Sequence, residues 1–104
     1  MLVKFKKPVV FEGKEYESIN IDLDSQTAEN YEATVDQIVA SIPKGKNLAL
    51  EIERKLWLFI AARASGLPPE FFMNLPLVPY VQIKGQVLSF LQESAVEFSF
   101  PSES

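Results

Sequence analysis

Asp22-x-Asp24-x-Gln26 has the opening spacing of a calcium-binding loop. Such a loop needs glycine at its sixth position and glutamate at its twelfth. Those positions hold Thr27 and Ala33, which argues against calcium. Gly45-Lys46 matches the Gly-Lys pair of a phosphate loop but lacks the motif's first glycine, its final serine or threonine and a preceding strand. The chain has no His and no Cys. It therefore has no imidazole base, thiolate nucleophile, disulfide, or thiolate or imidazole metal ligand. Fourteen acids are present, but nothing in the pattern sets two of them in one pocket for acid–base work. The expectation is a protein that is not an enzyme and needs no cofactor and no metal.

The remaining candidates are surfaces. Residues 15–42 hold seven acids and no base. Within them Glu29, Glu32 and Asp36 fall at helical spacing, as one acidic stripe. That stripe is either a docking face for a basic partner or a solvated face paired with Lys4, Lys6 or Lys7; charge runs are usually the latter. Phe71, Phe72 and Met73 sit in a short proline-bounded turn, where they either cap the core or form an exposed patch. Val96, Phe98 and Phe100 alternate with polar residues, so this tail either folds back on the hairpin edge or adds a strand to a neighbour. Trp57 and Phe59 read as core. The candidate partner surface is Phe71, Phe72, Tyr80, Phe98 and Phe100. A net charge of −4 argues against nucleic acid as partner. The longest apolar run, Leu56 to Ala62, is too short for the ~18 residues of a membrane span, so no membrane partner is expected.

Elements that position these residues follow from periodicity. Residues 3–23 read as a β-hairpin, with Val3, Phe5, Val9 and Phe11 on one face and a turn at Glu12-Gly13-Lys14. Pro8 makes its strand an edge strand or a bulged one. Ile19, Ile21 and Leu23 alternate with Ser18, Asn20 and Asp22 on the return. A helix is expected over about 27–42, capped by Asp24, Ser25 or Thr27 and stopped by Pro43-Lys-Gly45. A second is expected over 48–65, with Asn47 as N-cap and Gly66 as C′. Its second half, Leu56-Trp-Leu-Phe-Ile-Ala-Ala62, is apolar all round and makes it the central helix. One helical turn follows Pro68-Pro69. Residues 74–79 read as too proline-rich for a regular element, and a third long helix is expected over 79–91, opening on Pro79. Gly85 inside it either permits a close helix approach or is tolerated.

The predicted fold class is α+β and mostly helical: an N-terminal β-hairpin packed against three main helices. Residues 1–92 form one domain and 93–104 an extended or flexible tail.

The order of these stretches resembles the small tail assembly chaperones of tailed bacteriophages, of the contractile-tail type. The resemblance rests on four stretches. These are Lys7-Pro-Val-Val-Phe11-Glu-Gly-Lys-Glu-Tyr16, Glu51-Ile-Glu-Arg-Lys-Leu-Trp-Leu-Phe-Ile-Ala61-Ala, Ser65-Gly-Leu-Pro-Pro-Glu70, and Leu75 through Leu91. It spans roughly residues 7–91. The acidic stretch from Asp24 to Lys46 departs from it, since the family often carries more basic residues there. The resemblance implies a non-enzymatic factor in the host bacterial cytoplasm that binds the tape measure protein, keeps it soluble and is absent from the finished particle. It also implies possible self-association. Many such proteins exist in two forms through ribosomal frameshifting, and this chain would correspond to the shorter. Two alternatives of other classes are a structural tail component of the virion and a small acidic regulatory binding protein.

Overall fold

A computed structural model describes residues 1–93 together with Val96 and Ser99. The chain forms β1 (Leu2–Phe11), β2 (Lys14–Asn20), α1 (Ala28–Ser41), α2 (Leu48–Ser65), α3 (Pro69–Met73) and α4 (Leu77–Gln92). An antiparallel hairpin followed by four helices, three of them long, gives an α+β fold dominated by helix, as the periodicity predicts.

The hairpin turns at Glu12 and Gly13, at φ 50° and 75°. Two successive positive φ values suit the right-handed twist of the strands, and only Gly13 takes its value without strain. Val3 pairs with Ile19, and Val9 with Tyr16. Phe5 to Pro8 therefore lie opposite Glu17 alone, in a wide bulge between Lys4 and Val9. Pro8, which has no N–H to donate, sits in that bulge. Partners directly opposite share a face, so Tyr16 and Ile19 both turn inward although three residues apart. Beyond β2, Ile21 N donates to Met1 O at 2.8 Å, and Asp22 N donates to Ala64 O at 3.1 Å, tying the hairpin end to α2. Ile21 and Leu23 are buried, as their alternation predicts.

Thr27 is the residue that caps α1. Asn30 N donates to Thr27 Oγ1 and Thr27 N to Asn30 Oδ1, a reciprocal capping box. Asn47 Oδ1 accepts from Leu50 N at the start of α2. Gly66 closes α2 at φ 73°, the left-handed C′ position that glycine fills most cheaply. Thr34 is buried on α1, and its hydroxyl donates to Asn30 O and accepts from Arg63 Nε of α2.

Two boundaries differ from expectation: β2 ends at Asn20, short of the expected residue 23, and the last helix starts early. α4 begins at Leu77, two residues before Pro79, so part of the proline-rich stretch is helical. Pro79 occupies the third helical position, where a backbone N–H has no intrahelical acceptor in any case. Tyr80 N then makes the bond to Pro76 O, at 3.1 Å.

α2 is the hub, packing against α1, α3, α4 and β2. The core joins Val9, Ile19, Ile21 and Leu23 of the hairpin region to Trp57, Leu58, Ile60, Ala61 and Ala62 of α2. Phe71 and Phe72 close it from α3, Leu75 from the link that follows, and Ile83 and Val87 from α4. Ile38 of α1 is fully buried but lies outside this cluster. α1 thus forms an arm lying along α2, held through Thr34 and Gln37 to Arg63 in the last turn of α2. The principal dimensions are 62 × 35 × 24 Å. The radius of gyration is 16.1 Å, against about 13 Å for a spherical domain near this size.

Candidate functional site

Phe71 and Phe72 are each 0% exposed, which corrects their assignment to a partner surface. The cause is aromatic packing. The Phe71 ring centroid lies 5.0 Å from Tyr16, 5.5 Å from Phe11, 6.5 Å from Phe5 and 5.4 Å from Phe72. α3 is short because its work is to drive these two rings under the hairpin, while Met73 stays outside. Tyr80 is half-buried and packs edge-on against Trp57 at 5.2 Å. Phe98 and Phe100 lie outside the described residues.

The surface that does collect unpaired apolar groups lies elsewhere. β1 pairs with β2 along one edge, in a sheet of two strands. Its other edge faces a groove of about 1000 Å³, walled on the far side by Asn74, Pro76 and the first half of α4. Val78, Pro79 and Ile83 supply apolar contact from α4, with the amides of Gln82 and Gln86 between them. Lys4, Lys6 and Lys7 line the β1 side. Beside the groove stand large apolar side chains in solvent: Val10 at 69%, Leu77 at 75%, Val78 at 62% and Val81 at 54% exposure. These side chains make the rim of the groove the candidate site among the described residues.

The periodicity reading missed this site for a local reason. Residues 74–79 looked irregular, so Leu77 and Val78 were not placed on a helix. The exposed edge of β1, which Pro8 does signal, was the other half of it.

The acidic stripe is exposed on α1, and among the described residues Glu29, Glu32 and Asp36 form no ion pair. Lys4, Lys6 and Lys7 belong to the groove and do not neutralise it. Arg63, the cation beside α1, is bonded to Thr34 and Gln37 instead. Asp22 and Asp24 are exposed in the segment leading into the Thr27 cap, so that spacing serves a helix start. Among the described residues, no group of three acids could hold a metal ion, and no helix is long and apolar enough to cross a membrane. Gly45-Lys46 lies in the exposed loop between α1 and α2.

Compared with family models, curated proteins and solved structures, the chain shows no match.

Proposed function

We propose that this chain works by binding rather than catalysis, holding apolar segments of a client protein, and that it is a phage tail assembly chaperone for the tape measure protein. The observation that supports a binding role is the groove between β1 and α4, with Val78, Val81 and Leu77 exposed beside it. An open strand edge offers backbone hydrogen bonds, and an exposed apolar helix face offers area. An amphipathic client helix, whose backbone bonds are satisfied internally, would use the apolar area, and an extended client segment the strand edge. The specific client rests on the sequence resemblance over residues 7–91.

Co-expression with the tape measure protein, followed by size-exclusion chromatography of the soluble fraction, tests the proposal. The expected result is a co-eluting complex, with the client insoluble when made alone. A client that is soluble alone and forms no complex would overturn the reading. So would stoichiometric presence of this chain in mature particles, which would make it a structural component. Within the complex, Val78→Asp with Val81→Asp should weaken co-elution. Both positions are exposed, so these changes leave the core intact.

A further inference from the structure

The groove between β1 and α4 has a candidate occupant within this chain. Among the described residues, the outer edge of β1 has no strand partner and is a template for another strand. Three properties restrict which strand fits. Its inward face must be apolar, to meet Val3, Phe5 and Val9 of β1 and Val78 and Ile83 of α4. Its outward face must tolerate Lys4 and Lys6. It must also reach the groove. A second copy of β1 fails the charge condition, because lysines would stand opposite lysines.

Residues 95–100, Ala-Val-Glu-Phe-Ser-Phe, meet all three conditions. In an extended strand Val96, Phe98 and Phe100 share one face, and Glu97 and Ser99 the other. The apolar face matches the groove floor, and Glu97 matches the lysine side. Residues 93–104 carry Glu93, Glu97 and Glu103 and no base. The path is long enough. From Gln92 back to Val78 along α4 is about 21 Å, and eight residues from Glu93 in extended form span about 26 Å. Pro101 then ends the strand, since it cannot continue a ladder.

We propose that residues 95–100 add a third strand to the free edge of β1 of the same chain, filling the groove between β1 and α4. Val96 is exposed in the structure, so the docked strand is a second state of the molecule. Any client drawn to the same groove must displace it.

The chain has no cysteine, so Ser102→Cys places a single nitroxide label just past the docking segment. The full chain, labelled with ¹⁵N, is then read by amide spectra at low concentration without any client, which keeps the result independent of the chaperone reading. The expected result is loss of peak height at Val3–Val9 and at Val78–Gln86. That loss should disappear on adding Phe98→Ser and Phe100→Ser, with the remaining spectrum unchanged. Lys4→Glu with Lys6→Glu should also reduce it. Uniform peak heights, or losses confined to another face, would overturn the proposal. Losses that persist when nitroxide-labelled ¹⁴N chain is mixed with ¹⁵N chain carrying no nitroxide would overturn it too, because the strand would then come from a second copy.

Discussion

At the scale of single residues, Phe71 and Trp57 divide the work of the core differently. Phe71 touches four other rings, from β1, β2 and α3. Phe71→Ala should cost about 3–5 kcal/mol, the range for truncating a fully buried aromatic. In a domain this small, that is a large share of total stability. Trp57 carries a buried Nε1 with no hydrogen-bond partner among the described residues. Trp57→Phe removes that unsatisfied donor along with some volume, so the two effects oppose each other. It should change stability by no more than about 1 kcal/mol, against about 3–5 for Trp57→Ala. Urea titrations of the three variants measure this. A Phe71→Ala variant as stable as the parent would place that ring outside the core after all. The sequence could not rank these residues by itself. Phe71, Phe72 and Met73 are equally apolar neighbours, and only the one-turn geometry of α3 sends two inward and one out.

At the scale of elements, what was legible was whatever local chemistry decides. The bounds of α2 follow directly from Asn47 and Gly66, because a cap and a left-handed C′ residue act within their own turn. The start of α4 was not legible. Three prolines between 68 and 76 set an extended or turning backbone, and nothing nearby marks that Pro79 belongs inside a helix. The bulge was legible as a choice, from Pro8, but not its consequence for Tyr16, which depends on pairing across the hairpin. Gly85 resolves similarly. A Cβ added there would meet nothing within 4 Å, so no helix approaches closely. Gly85→Ala should then stabilise the fold by about 0.5–1 kcal/mol, through helix propensity and a less flexible unfolded chain. Gly66→Ala should act oppositely. Its surroundings are equally open, but φ 73° costs a non-glycine residue about 1–2 kcal/mol. Thermal unfolding of the two variants gives shifts of opposite sign, and shifts of one sign would contradict the backbone argument.

At the scale of the whole molecule, the long shape separates a body from an arm. α1 buries only Thr34 and Ile38, and Ile38 stands apart from the main cluster. Segments with few buried contacts open at lower free energy than the global transition. Amides in the middle of α1 should exchange with deuterium well before those of Trp57 to Ala62 in α2. Equal protection in both would mean that the arm and body unfold as one unit. The acidic stripe rides on this arm, and among the described residues no ion pair joins it to the lysines of the groove.

The edge-on contact of Tyr80 with Trp57 makes the chain its own optical reporter. Trp57 is the sole indole, it is 2% exposed, and it joins α2 to the helix that walls the groove. At 5.2 Å, excitation of Tyr80 should pass to it, and a buried indole should emit in the blue while α4 is seated. A change that moved α4 off α2 would redden the emission, so the seating of that helix can be followed by light alone, in unlabelled protein.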